Sequence, residues 1–307
     1  MQKLFRRGER VKHATKTEWG IGEVLTNEAG GKVSVFFEDV GPKEFDLEFA
    51  KFLRLEGVDG ESDYLTALVT HHHAEAAKPV LAGVQKKPRF LSFSEAVKNF
   101  LGFFPCGFSD PAYLAAKGER KYKFDAHLLM IDLLGEAMFC SLLRQNDFKE
   151  VLDRVKRVIN KTNLISPYEK IGFSNGVASE VNQKLFAESL YDLLYGTDGL
   201  QSRFERYATM LSLIGVAKWP IATYFPFIAF PNTQIFLKPV VTQNAANVLN
   251  QEINYRPELN WLSYSQVLVL AERIRKELLK DGREMLIPRD MIDVQSFIWI
   301  IAPGYFL

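Results

Sequence analysis

The chain has 307 residues, 47% of them hydrophobic, with 38 Lys+Arg against 37 Asp+Glu. That length exceeds one small module and allows a second, larger domain. The even charge balance argues against a protein that holds nucleic acid through a basic excess, and two cysteines exclude a disulfide framework.

Between Leu4 and Leu55 short strand-like runs are broken by glycines, the pattern of a small closed β-barrel. Arg10-Val11-Lys12-His13 alternates polar and apolar, as a half-buried strand does. Trp19-Gly20-Ile21-Gly22 suits a bend where backbone approaches a neighbour closely. Ile21, Val24 and Leu25 supply a second strand, and Asn27 to Gly31 a turn with glycine where φ is positive. Lys32 to Phe37 forms a third strand with Val33, Val35 and Phe37 on one face. Asp39-Val40-Gly41-Pro42 turns again, and Glu44-Phe45-Asp46-Leu47 opens the closing segment.

Charge in this region is lopsided. Lys3, Arg6, Arg7, Arg10, Lys12 and Lys16 come first; Glu38, Asp39, Glu44, Asp46 and Glu48 follow. Such a dipolar surface suits oriented docking to another protein, and ordinary solvated strand faces would read the same way. Arg7, Arg10 and Lys12 are the candidate docking cations. Trp19 is either an exposed docking aromatic or, the commoner fate of a Trp, part of the core.

The run Gly8-x-x-Val11-x-His13, Trp19-Gly20-x-Gly22-x-Val24, Val33-x-Val35-x-Phe37 and Gly41-x-Lys43 resembles a Tudor/SH3-like barrel. The nearest likeness is the module at the C-terminal tail of UvrD-type bacterial repair helicases. More distantly it is similar to the RNA-polymerase-interacting domain of CarD-like and transcription-repair coupling proteins. The likeness covers roughly the first 55 residues, and no helicase motor follows them. It implies a protein-docking surface, often for RNA polymerase, working near nucleic acid.

Glu56 to Pro88 forms the boundary, so the expected division is a barrel over 1–56, a linker over 57–88 and a helical domain over 89–307. His71-His72-His73 lies in the linker. Consecutive histidines point apart, and only His13 and His127 remain elsewhere, so neither a metal site nor a cofactor is expected.

From Phe90 the period becomes helical. Ser92 or Ser94 caps a helix carrying Ala96, Val97 and Phe100. Asp125 to Leu143 is strongly apolar on one face, and Asp147 to Ile159 places Val151, Leu152, Val155, Val158 and Ile159 on an amphipathic stripe. Further helices are expected over Glu180 to Tyr195, Leu200 to Leu213, Val240 to Asn250, Tyr264 to Leu279 and Arg289 to Ile301, with one strand over Gln234 to Lys238. Met1 to Gly8 has no apolar signal-peptide core, and Ile214 to Phe230 is interrupted by Lys218, Pro220 and Pro226. The expectation is a cytoplasmic protein that crosses no membrane, with Cys106 and Cys140 as buried free thiols. The fold class is α+β and multidomain: a small N-terminal barrel, then a mainly α-helical domain.

Three constellations could carry chemistry. Asp110 with Glu119-x-Lys121 has the skeleton of a metal-dependent nuclease site, two carboxylates for the ion and a lysine for charge. Alternatively Asp110 caps a helix with Pro111 at its first position, while Arg120, Lys121 and Lys123 form a solvated basic patch. Arg154, Arg157 and Lys161 could join Lys121 and Lys123 along a phosphate backbone, or remain a solvated helix face. Pro288-Arg289-Asp290 with Asp293 and Gln295 suits the first turn of a helix and its positive dipole end. This ending, with Phe236 to Thr242 upstream, resembles the C-terminal part of uncharacterised bacterial proteins, some linked to DNA restriction or defence. The sequence therefore reads as a non-enzymatic bacterial adaptor for a transcription, DNA-repair or defence protein. A metal-dependent nuclease around Asp110, Glu119 and Lys121 is the alternative.

Overall fold

Residues 4–25, 27–37, 41–62, 91–116 and 118–302 are described by a computed structural model. The chain divides into two units, Met1–Gly83 and Val84–Leu307.

In the first unit, β1 (Arg10–His13), β2 (Gly22–Val24), β3 (Lys32–Phe37), β4 (Gly41–Asp46) and β5 (Phe52–Leu55) form one antiparallel sheet in the order β4-β3-β2-β1-β5. Alternation along the strands sends Val11, Val24, Val33, Val35 and Phe37 to one buried face. The sheet is a half-barrel: its order ends at β4 and β5, and among the described residues no ladder joins those edges. Aromatic rings fill the opening instead. Phe45 and Phe52 meet at 5.0 Å, and His13 lies 5.4 Å from Phe52. Gly22 stands opposite Phe37, where a Cβ would come within 2.7 Å of the Phe37 ring. Gly41 and Pro42 belong to β4 and not to the expected turn; Pro is tolerated there because β4 is an edge strand. Glu38 to Val40 lie outside the described residues. After β5 a 3₁₀ turn, Gly57–Gly60, returns against the sheet, bringing Gly60 beside Arg10.

The second unit contains twelve helices among its described residues: α1 (Phe93–Phe103), α2 (Pro111–Leu114), α3 (Lys121–Leu134), α4 (Glu136–Arg144), α5 (Phe148–Asn160), α6 (Pro167–Gly176), α7 (Glu180–Tyr195), α8 (Leu200–Leu213), α9 (Trp219–Ala229), α10 (Pro239–Val248), α11 (Trp261–Asp281) and α12 (Met291–Ile301). Their starts follow local chemistry. Ser92 caps α1 in a reciprocal capping box with Glu95, and Asp147, Ser166 and Ser179 cap α5, α6 and α7. Helices α9 and α12 are buried along their whole lengths. Near them Phe204 stacks on Tyr264 at 4.8 Å and on Trp219 at 6.2 Å.

Several expectations change here. The apolar run from Asp125 to Leu143 is two helices, α3 and α4, bent by 42° at Gly135. The expected strand over Gln234 to Lys238 is not formed: the segment is irregular and, among the described residues, joins no sheet. Thr223 accepts from the Leu237 amide at 2.9 Å, and Tyr264 donates to the Gln234 side chain at 3.1 Å. The two thiols are free as expected, but Cys106 is exposed and Cys140 only half-buried. Among the described residues no single helix is long and apolar enough to cross a membrane; α3 and α4 pass that test only together.

Candidate functional site

The first unit offers a surface of mixed charge and exposed apolar groups. On β1 the side chains of Arg10 and Lys12 leave the face opposite Val11 and His13. Arg10 stands across from Glu23 and pairs with it at 3.2 Å, so this cation is committed within the sheet. Lys12 faces Leu53 across the β1–β5 ladder and is half-buried. Arg7 is exposed, and its backbone amide donates to the Asn27 side chain at 3.0 Å. Trp19 lies in a 3₁₀ turn at the margin of the core, 4.9 Å from His13 and 5.5 Å from Phe37. Its outer side is accessible to the Lys43 ammonium, 5.3 Å from the ring. Trp19 is thus core and surface at once.

Sequence reasoning missed Phe49 and Leu53, which are 82% and 58% exposed. A signal for Phe49 was present. It interrupts the acidic turn Asp46-Leu47-Glu48, where no strand alternation assigns it a buried partner.

The second unit holds a buried ionic network between the α2–α3 region and α12. Arg120 donates to Asp290 at 2.6 and 2.8 Å and to Asp293 at 2.8 Å. The Tyr113 hydroxyl donates to Asp293 at 2.6 Å, and Arg289 donates to Asp293 at 2.9 Å and to the Phe108 carbonyl at 2.7 Å. Lys123, only 1% exposed, donates to Glu119 at 2.8 Å and to Ser296 at 3.1 Å. The inward-facing cations Arg120 and Lys123 and the buried Asp293 thus all meet opposite charges, as burial of charge demands, while Arg289 reaches in from the exposed rim. Burial and then the Asp293 charge push the Tyr113 phenol well above its usual range. Burial opposes the Arg120 charge, but hydrogen bonding to Asp290 and the charges of Asp293 and Asp290 outweigh it and hold the guanidinium above its ordinary value.

This network replaces the expected solvated basic patch. Arg120 and Lys123 are turned inward, and only Lys121 is exposed, paired with Asp125 on its own helix. The proposed nuclease residues are held separately. Asp110 caps α2, accepting from the Ala112 and Cys106 amides at 2.9 and 3.0 Å, with Pro111 at the first helical position as expected. Glu119 serves Lys123, and Lys121 serves Asp125. Among the described residues no three His, Cys, Asp or Glu side chains are grouped to hold a metal ion. Of the helix-face cations, Arg154 bonds Glu150 at 2.7 Å and the Leu133 carbonyl at 2.9 Å, and Arg157 is exposed. Lys161 and Lys121 do converge, both on Asp125.

Asp290 caps α12 as expected, accepting from the Ile292 amide at 2.9 Å, and Asp293 lies in its first turn. Pro288 precedes the cap, outside the first turn where it was expected. Gln295 is fully buried, with no hydrogen-bond partner for its amide among the described residues. His127 bonds the Ile228 carbonyl at 2.7 Å, a structural tie between α3 and α9. His71 to His73 lie outside the described residues.

Residues 5–54, which span the curled sheet, match a domain family described as a protein of unknown function (DUF3553). No curated protein and no solved structure matches the chain.

Proposed function

We propose that the protein is a non-enzymatic bacterial adaptor that docks a transcription, DNA-repair or defence protein through its N-terminal half-barrel. The observation that carries this reading is the exposure of Phe49 and Leu53 on so small a unit. Large apolar side chains left in water at a charged surface are the usual anchors of a protein interface. Leu53 has Lys12 as its cross-strand neighbour, and Arg7 is exposed on the same unit, so charge is available to orient the partner. RNA polymerase is the leading partner by the likeness to CarD-like and helicase-tail modules. Nucleic acid is a secondary contact: of the cations proposed to follow a phosphate backbone, Arg120, Lys123 and Arg154 are held by carboxylates or carbonyls. No observation favours the nuclease reading.

The test is a pull-down from bacterial lysate with the full chain. It compares wild type, Phe49→Ala with Leu53→Ala, and Arg7→Glu with Lys12→Glu. A protein partner retained at high salt and lost in the apolar pair is expected. Equal recovery with the charge-reversed pair would remove the basic edge from the mechanism. Recovery of DNA alone, released as salt rises, would replace the adaptor with a nucleic-acid-binding module.

A further inference from the structure

Helix α3 carries Phe124, Leu128 and Ile131 at i, i+4 and i+7, which stacks them on one face. They are 37%, 53% and 48% exposed. On its other side Ala126, Met130, Leu133 and Leu134 are buried. A helix apolar on both sides belongs between two partners, and only one of them is its own core.

Charge at the two ends of the stripe identifies the second partner. At the N-terminal end Lys121 and Lys161 share the single carboxylate of Asp125, leaving an excess positive charge. At the C-terminal end Asp132 and Glu136 are both exposed, an excess of negative charge. An apolar centre with opposite charges at its ends is complementary to itself when turned around. Antiparallel packing sets Phe124 of one copy against Ile131 of the other and brings the lysine end to the acidic end. Parallel packing would oppose like charges.

We infer that α3 is an interface between two copies of this chain, packed antiparallel about a two-fold axis beside Leu128. Such a contact is isologous, so each feature is used twice. Leu128 is the central anchor, shielded by Phe124 and Ile131, and the charged ends form the rim that fixes direction. A contact built on one helix per copy is smaller than the standard stable interface. The dimer is therefore concentration-dependent.

Sedimentation velocity of the full chain over a concentration series, with far-UV circular dichroism on each variant, tests this. Wild type is expected to pass from monomer to dimer. Leu128→Asp is expected to raise the dissociation constant by at least about 30-fold, the loss of one central anchor. Asp132→Lys and Lys121→Glu each weaken the dimer, and their combination recovers it because opposite charges again meet. The charge pair keeps the test decisive if Leu128→Asp loses helix. A wild type that stays monomeric at every concentration overturns the inference. So does a dimer indifferent to Leu128→Asp and to both charge changes. Monomeric wild type that binds phosphatidylcholine vesicles through Leu128 would overturn it in favour of a lipid surface.

Discussion

Asp293 accepts hydrogen bonds from Tyr113, Arg120 and Arg289 and has no exposure of its own. A carboxylate in that position is tolerable only with its donors in place, and the donors depend on it in turn. Asp293→Ala strips Arg120 of one of its two carboxylates and leaves the buried Tyr113 hydroxyl without its acceptor. The expected loss is about 3–5 kcal/mol of unfolding free energy. Tyr113→Phe removes one hydrogen bond to the Asp293 carboxylate and is expected to lose about 1.5–3 kcal/mol. Urea unfolding distinguishes them; equally small losses would mean that water reaches the network. The two halves of this cluster differ in how legible they were. Asp110 and Asp290 as caps could be read from spacing, because a cap and its amide lie two or three residues apart. The inward turn of Arg120 and Lys123 could not, because Asp290 and Ser296, the groups that draw them into the core, lie 170 and 173 residues along the chain, although the ion-pair partner of Lys123, Glu119, is only four residues away. A cation at the start of a helix looks the same in sequence whether it faces water or a distant partner in the core.

At the scale of elements the same division holds between local and long-range causes. Strand β3 was legible because Val33, Val35 and Phe37 alternate on one wholly apolar face, although Phe36 on the other face is buried too. Helices α7 and α8 were legible because both ends and the apolar stripe agree. The half-barrel's open edge was not, because closure depends on whether β4 and β5 can pair, and the rings of His13, Phe45 and Phe52 occupy that space. The buried run Ile235-Phe236-Leu237 has strand composition, yet among the described residues it pairs with no strand; Thr223 accepts from the Leu237 amide and the Tyr264 hydroxyl donates to the Ile235 carbonyl in place of ladder bonds. The bend between α3 and α4 has a local cause at Gly135, where a Cβ would come within 2.6 Å of the Ile131 carbonyl. Gly22 is the element-scale position most open to test. A methyl group there would meet the Phe37 ring at 2.7 Å and a Val35 methyl at 2.8 Å. Gly22→Ala must push β2 away from β3 or displace Phe37 from the aromatic cluster. Overpacking of this kind costs about 1–3 kcal/mol. Thermal unfolding should show that loss, accompanied by a changed near-ultraviolet signal from Trp19, which packs on Phe37. An unchanged midpoint would mean that the sheet flexes enough to absorb the methyl.

For the whole molecule, the arrangement of apolar residues argues for two separate cooperative units. Val11, Val24, Val33, Val35 and Phe37 form one buried cluster, and every residue of the other buried cluster lies between Ala96 and Ala302. Among the described residues no buried apolar side chain belongs to both. Cooperativity in unfolding follows shared burial, because a residue's apolar area is exposed only when its own cluster opens. Calorimetry of the full chain should therefore resolve two transitions. The smaller enthalpy belongs to the half-barrel, since unfolding enthalpy scales with the number of residues involved. Val35→Ala should lower only that transition, by about 4–8 °C for each kcal/mol lost. Phe204→Ala opens a cavity where Trp219 and Tyr264 stack, costs about 3–5 kcal/mol, and should lower only the other. A single transition moved by both substitutions would mean that the two clusters share burial in the folded chain.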